Sequence, residues 1–104
     1  MPRALSLAAV TVLHAVASGI PYGFDVIDAT GLPSGTVYPA LARLERDGYL
    51  RSRWENPAAA RKDKRPPRRY YRISAAGVTV LDESLARYRT LTALPLTAVP
   101  KPRG

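Results

Sequence analysis

The residues with the clearest chemical potential in this 104-residue chain are basic, and most of them fall in one segment. Residues 51–72 contain nine Lys and Arg but only two acids, Glu55 and Asp63, so this segment carries +7 of the formal net charge of +8. Concentrated positive charge raises the local concentration of a polyanion. The segment therefore predicts a polyanionic partner such as a nucleic acid. The alternative is a solvated basic loop that only maintains solubility.

Six members of this segment are predicted to contact the phosphates or the minor groove of double-stranded DNA. They are Arg61, Lys62, Lys64, Arg65, Arg68 and Arg69. Such contacts position a protein on DNA but carry no sequence information. A sequence-tolerant, basic nucleic-acid-binding accessory protein is therefore the main alternative to a sequence-specific regulator.

A second candidate set lies at the start of a predicted third helix and comprises Ser34, Gly35, Thr36, Tyr38 and Pro39. Free N–H groups and the helix dipole favour phosphate at a helix N-terminus, and hydroxyl groups add hydrogen-bond donors. Small side chains also allow this end of the helix to approach a groove closely. In the alternative interpretation, Ser34 and Thr36 only cap the helix while Tyr38 packs internally.

Arg43 lies further along the same helix and is predicted to reach a guanine edge or a phosphate. The alternative is that Arg43 and Arg46 form surface ion pairs with the neighbouring acids Glu45 and Asp47. Because acids and bases alternate here, this helix is nearly neutral overall, unlike the basic segment.

The sequence offers little for catalysis. It has no nucleophile motif, no phosphate-binding loop and no cluster at metal-ligand spacing, and the lack of Cys excludes disulfides and thiolate–metal sites. The longest apolar run, residues 4–20, is interrupted by polar residues, and about 20 apolar residues are needed to span a bilayer. We therefore expect no enzyme, no cofactor, no metal and no membrane segment, and a cytoplasmic location.

Hydrophobic periodicity and helix-breaking residues predict the elements that position these side chains. Helices are expected over residues 4–18, 22–29, 35–47 and 75–94, and strands over residues 49–55 and 69–73. Ser34 and Ser74 are the candidate caps of the third and fourth helices. Pro39 is expected in the first turn of its helix, where a missing N–H costs little. Residues 56–67 contain three prolines and predict an exposed, mobile loop.

This order of elements predicts an α+β fold that is mostly helical, a winged helix-turn-helix with a C-terminal dimerisation helix. Residues 1–74 would form the DNA-binding domain, residues 75–94 the dimerisation helix and residues 95–104 a flexible tail. In such a fold the second helix of the pair enters the major groove. The basic hairpin, or wing, would then contact adjacent phosphates or the minor groove.

The last helix carries an apolar stripe that predicts a homodimer. Its members are Val78, Leu81, Leu85 and Tyr88, at spacings of three and four residues. We expect them to form a seam with three residues of the partner's first helix, Leu5, Val12 and Leu13, because the last helix is expected to stand away from the body. In the alternative, the stripe covers the core of its own chain. Trp54 is expected to pack within the hairpin or core, with ligand stacking as its alternative.

Two motifs together resemble the PadR-type transcriptional regulators. The first is Tyr22-Gly23-Phe24 followed by G-T-x-Y-P-A-L at residues 35–41, and the second is R-R-Y-Y at residues 68–71 followed by Ile73, Ser74 and Gly77. The resemblance covers roughly residues 4–92. Within the family, the chain resembles the short subgroup, which has a single C-terminal helix. It implies a homodimeric repressor, a C-terminal helix that packs on the partner's N-terminal helix, and a contact of Tyr38 with the DNA backbone. It also implies, for some members, a small-molecule effector between the helices of the dimer.

Overall fold

The computed structural model describes residues 4–94, and its described part is mostly helical with one two-stranded sheet. The elements, in chain order, are α1 (Leu7–Ala17), α2 (Gly23–Thr30), α3 (Ser34–Arg46), β1 (Leu50–Trp54), α4 (Pro57–Lys62), β2 (Arg69–Ile73) and α5 (Ala75–Thr92). The predicted α+β class and element order are confirmed, apart from α4. The predicted tail at residues 95–104 lies outside the described residues.

The core lies between α1, α2, α3, the base of the sheet and the first half of α5. Leu13, Leu41, Leu44 and Leu50 are its largest fully buried side chains. Burying each of them stabilises the fold by about 1.5–3 kcal/mol before conformational entropy is counted. This core fixes α3 against the hairpin and therefore sets the position of both candidate DNA-contacting elements.

The starts of α1 and α3 differ from the predictions. Helix α1 begins at Leu7 rather than at residue 4, because the Ser6 side chain accepts a hydrogen bond from the Ala9 N–H at 3.1 Å. Helix α3 begins at Ser34, so the predicted capping role of Ser34 is wrong: Pro33 holds the cap position and no side chain caps the helix. Pro39 is the sixth helical residue, in the second turn, where its missing N–H leaves the carbonyl of Gly35 without the usual helical donor.

The strands form the predicted antiparallel hairpin, with a register that runs from Leu50 opposite Ile73 to Trp54 opposite Arg69. Because side chains alternate across a strand, the hairpin has two chemically different faces. The inner face packs towards α3 and the core, whereas the outer face carries arginines. The N–H of Tyr71 donates to the carbonyl of Pro21 at 2.9 Å, which ties the hairpin to the segment before α2.

The segment at residues 56–67 is exposed as predicted, but it contains a helix, α4, where its prolines predict a loop. Asn56 caps α4 by accepting a hydrogen bond from the Ala58 N–H at 2.8 Å, and the side chain of Ala60 is fully buried. Pro57 stands at the first helical position, where a residue without an N–H is tolerated. Lys64 follows the helix with φ of 56°, a left-handed conformation usually given to glycine at a helix end.

Helix α5 packs on its own chain, which is the alternative to the predicted dimer seam. Leu81 is buried in the core, and Leu85 and Tyr88 pack against it. Val12 and Leu13 are 0% exposed within one chain, so their predicted contact with a partner is wrong: neither side chain offers any surface. The expectation that α5 stands away from the body is wrong, because its first half lies on α1 of the same chain.

Candidate nucleic-acid interface

The first turn of α3 differs from those of most other helices in how its N–H groups are used. Side chains cap α1, α4 and α5 through Ser6, Asn56 and Ser74, whereas α2 and α3 have no side-chain cap. Ser34 and Gly35 are exposed, and nothing lies within 4 Å of the position where a Cβ on Gly35 would stand. This turn therefore presents free donors and a positive dipole end that an anion can approach closely.

Tyr38 packs against α2 and is still partly exposed. Its ring lies against the first turn of α2, where a Cβ on Gly23 would come within 2.6 Å of the ring. The side chain nevertheless remains 48% exposed. Tyr38 thus joins the two helices of the helix-turn-helix while about half of the residue stays exposed.

The charged residues in the C-terminal half of α3 differ in how many contacts they make. Glu45 accepts hydrogen bonds from the Ser52 hydroxyl and from Arg69, 3.0 Å away, so this acid ties α3 to the hairpin. Arg46 makes only a solvent-exposed contact of 3.5 Å with Asp47, which contributes little stability. Arg43 is exposed beside the N-terminal end of α1 and forms no ion pair within residues 4–94.

The inner face of the hairpin places Arg69 beside Trp54, next to α3. The Arg69 Nε donates to the Ser52 hydroxyl at 2.8 Å, and its guanidinium lies 5.8 Å from the centre of the Trp54 ring. Trp54 is 64% exposed, so a place in the core is wrong, and its contact within the hairpin is with its cross-strand neighbour Arg69. It is the last residue of β1, beyond the reach of the core.

Arg65 is engaged by the protein itself. Its guanidinium forms two parallel hydrogen bonds with the Glu55 carboxylate, one of them 2.8 Å long. These bonds, together with a weaker hydrogen bond from the Arg68 N–H, lower the pKa of Glu55 from 4.5 to about 2, although partial burial opposes the shift. Arg65 therefore holds the two ends of the α4 segment together, which differs from the predicted phosphate contact.

The five predicted wing cations other than Arg65 separate into two groups. Arg68 and Arg69 lie over aromatic rings, Arg68 at 4.8 Å from the centre of the Tyr22 ring. A second group, which we call the wing tip, is exposed and has no side-chain hydrogen bond or ion pair to the rest of residues 4–94: Arg61, Lys62 and Lys64. The wing tip is thus the part of the basic segment that is free to bind an external anion.

Three arginines outside the predicted set form a separate cluster, which we call the outer arginine face: Arg51, Arg53 and Arg72. All three are exposed and, with Tyr70, line a groove of about 430 Å³ at the base of the hairpin. They were missed as a group because the charge count treats the basic segment as one patch. Strand alternation at residues 51, 53 and 72 was the available signal.

The described residues contain no group of side chains suited to a metal ion, and no helix among them is long and apolar enough to cross a membrane. Two helices joined by a tight turn, an uncapped second helix and a basic wing are the parts of a DNA-reading module.

The family model for PadR-like transcriptional regulators matches residues 12–83, more than half of the chain. This chain belongs to the PadR-like family. Comparison with curated protein sequences gave no significant match.

Solved structures of PadR-like proteins have the same fold. A PadR family transcriptional regulator from Eggerthella lenta is 30% identical with a TM-score of 0.66, covering 81% of this chain and 73% of that chain. A PadR-like transcription factor from Bacteroides fragilis is 27% identical with a TM-score of 0.67, covering 81% and 82%. A PadR family regulator from Clostridium difficile is 19% identical with a TM-score of 0.70, covering 84% and 92%.

Family membership confirms the resemblance and the winged-helix fold, and makes this PadR-like protein a DNA-binding transcriptional regulator. The family consists of transcriptional regulators rather than enzymes. The individual contact residues remain predictions.

Proposed function

We propose that this PadR-like protein is a homodimeric repressor that binds an inverted-repeat operator through α3 and the wing. The observation that carries the proposal is the exposed, uncapped first turn of α3 on a module whose wing tip has free cations. A repressor of this kind acts by occupying DNA that the transcription machinery must use.

In the proposed complex, α3 lies in the major groove. The N–H groups of its first turn and the hydroxyls of Ser34, Thr36 and Tyr38 donate to backbone phosphates, which fixes the register. Gly35 and Pro39 keep this end of the helix narrow. Arg43 has no ion pair among the described residues and supplies the base or phosphate contact further along the groove.

The wing tip contacts the flanking backbone or minor groove, and the other wing cations have supporting roles. Arg65 shapes the α4 segment through Glu55, while Arg69 sits between α3 and the hairpin. Trp54 projects from the inner face beside Arg69, so we include it as a contact to the sugar–phosphate backbone. An aromatic ring in that position buries apolar area against sugar carbons without needing a particular base.

The proposed dimer seam is shifted along α5 from the one predicted. The surface that remains apolar is a groove of about 560 Å³ between residues 4–5 and the last turns of α5. Tyr88, Leu91 and Leu94 line it with Leu5, and Leu91 and Leu94 are about 60% exposed. Of the other predicted seam residues, Val78 is 45% exposed near the start of α5 and Leu85 is only partly buried. A second copy of the chain would cover leucines that otherwise face water.

A small-molecule effector is a further part of the proposal. Among proteins of similar fold, a Streptomyces coelicolor regulator, PcaV, is described in complex with its natural ligand, with 19% identity and a TM-score of 0.75. DNA binding by Bordetella bronchiseptica BpsR is described as regulated by 6-hydroxynicotinic acid. At these identities the likeness shows the fold alone.

The test is selection of fragmented genomic DNA from the source organism on the purified protein at about 150 mM salt, followed by sequencing. Enrichment of an inverted repeat would support a dimeric operator-binding regulator. Even recovery of all fragments would instead favour the sequence-tolerant binder and would contradict the role given to α3.

Two sets of variants distinguish residues that recognise the DNA sequence from residues that only position the protein on DNA. Thr36→Ala and Tyr38→Ala should lower affinity for the selected operator while leaving the helical circular dichroism signal unchanged. Changing the three wing-tip cations to Ala should weaken binding to every sequence about equally. Three cations from each of two chains account for about 5 units of the log–log salt slope, so the slope should flatten by that amount. A loss confined to one sequence would make the wing tip a reader instead.

A further inference from the structure

The outer arginine face has a charge arrangement that the hairpin itself does not need. Arg51 and Arg72 are directly opposite each other in the antiparallel register, and Arg53 follows on the same face. Like charges in direct cross-strand register destabilise a hairpin. Neither strand contains an acid that could face these arginines, so the arrangement costs stability.

No acid in the described part of the chain neutralises this face. The acids nearest in the hairpin network are already committed elsewhere: Glu55 to Arg65, and Glu45 to Arg69 on the inner face. None of the three arginines forms an ion pair within residues 4–94. Three positive charges therefore converge on one groove and are neutralised only by solvent and mobile ions.

The groove has the dimensions and lining for a small anionic group. Its volume is about 430 Å³, and the Tyr70 ring forms one wall. The Arg53 guanidinium lies 5.0 Å from the centre of that ring, which orients it. Arginine forks match the tetrahedral oxygens of a phosphate group better than they match a spherical ion.

We infer that the outer arginine face is a second phosphate-binding site, separate from α3 and the wing tip. Two sources of phosphate fit it: a small phosphorylated or polyphosphate molecule, or the backbone of DNA flanking the operator. The DNA source rests on the proposed function, because it requires a bound operator. The small-molecule source does not, so the two inferences can fail separately.

The first arm of the test uses inorganic pyrophosphate, titrated calorimetrically into the protein at constant ionic strength. We expect one site per chain, with affinity reduced about tenfold or more in Arg51→Ala/Arg72→Ala, because two charge-assisted contacts are removed. The matched control is Lys62→Ala/Lys64→Ala, which removes the same charge from the wing tip and should bind pyrophosphate as the parent does. Arg72→Glu is a second variant that keeps the hairpin folded, since an acid opposite Arg51 stabilises the register while abolishing the site.

The second arm compares the operator duplex with the same duplex extended by about one helical turn at each end. Each flanking phosphate neutralised should raise affinity about 5-fold at 0.15 M salt, or on the order of 25-fold for two chains. This gain should vanish in Arg51→Ala/Arg72→Ala, whereas affinity for the short duplex should not change. Lys62→Ala/Lys64→Ala should weaken binding to both duplexes and keep the gain.

Either a pyrophosphate site lost in the outer-face variants or a length-dependent gain lost in them supports the inference and identifies the source. Neither effect, or effects equally large in the wing-tip control, would overturn it. A protein that selects no operator but binds pyrophosphate through Arg51 and Arg72 would contradict the proposed function and leave the phosphate site standing.

Discussion

Gly35→Ala should stabilise the protein and weaken its binding to DNA. Gly35 is the second residue of α3, and a Cβ there meets nothing within 4 Å. Replacing a helical glycine by alanine stabilises a helix by about 0.5–1 kcal/mol, and a position in the first turn favours the lower value. For a domain of this size, about 0.5 kcal/mol corresponds to a rise of about 2–4 °C in melting temperature.

The expected loss of affinity comes from the same added methyl group. If the first turn of α3 donates its N–H groups to a phosphate, a side chain at residue 35 forces the backbone away from that phosphate. A hydrogen bond to a charged group contributes about 1.5–3 kcal/mol, so the operator Kd should rise about tenfold or more. Fluorescence anisotropy with a labelled operator duplex and thermal unfolding measured on one preparation give both numbers.

Gly77→Ala is the matched control, because it makes the same chemical change at another helical glycine. There the new Cβ would collide with the carbonyl oxygen of Tyr49 and the Ile73 side chain, so the protein should lose about 1–3 kcal/mol of stability. A Gly35→Ala variant that melts higher and binds the operator as tightly as the parent would refute the placement of α3 against DNA. A Gly35→Ala variant that melts lower than the parent would contradict the prediction that a Cβ at residue 35 fits without a clash and stabilises the helix.

The remaining predictions concern the wing and the dimer seam. The pKa of Glu55, lowered to about 2 by Arg65, means that the ion pair stabilises the wing fully above about pH 4.5 and that this contribution is lost as the pH falls towards 2. The protection of the α4 amides, taken as the ratio of intrinsic to observed exchange rate at each pH, should therefore fall over that interval, and a Glu55→Gln variant should show low protection already at pH 7. Trp54 is the only tryptophan, so its fluorescence should shift when operator DNA binds, and an unchanged spectrum on saturation would remove it from the interface. Leu91→Glu should shift the protein from dimer to monomer in analytical ultracentrifugation without lowering its helix content, and an unchanged sedimentation coefficient would contradict the proposed seam.

Sequence reasoning succeeded where local pattern and tertiary structure agree. The Gly31–Pro33 turn ends α2 through a left-handed glycine, and the hairpin strands keep the alternation that their residues predict. Family membership follows from the two motifs at residues 35–41 and 68–71, which lie within the matched region. These features depend on residues close together in the chain, whose effects can be read without knowing the fold.

The sequence predictions failed where contacts between residues far apart in the chain determine the structure. The prolines at residues 56–67 suggested a loop, but Pro57 is tolerated at the start of α4 and the Arg65–Glu55 pair closes the segment over ten residues. The apolar stripe of α5 was assigned to a partner because periodicity identifies a buried face without identifying what buries it. Val12 and Leu13 show the result, since the same face of α1 that could have met a partner is covered by its own chain.

Contacts between distant residues also determine how much of the wing's positive charge is available to DNA. Six cations were assigned to DNA from the sequence, but Arg65 is held by Glu55 and Arg69 by Glu45, while Arg68 lies over Tyr22. Within the described residues, the three wing-tip cations of each chain therefore form no ion pair. In the same part of the chain, three more unpaired cations lie on the outer arginine face, and the local sequence pattern did not distinguish them from the wing tip. A dimer using only its wing tips should show a log–log salt slope of about −5. Formal charge therefore overstates what one DNA contact can use, because folding commits part of it to the protein and divides the rest between two faces of the hairpin.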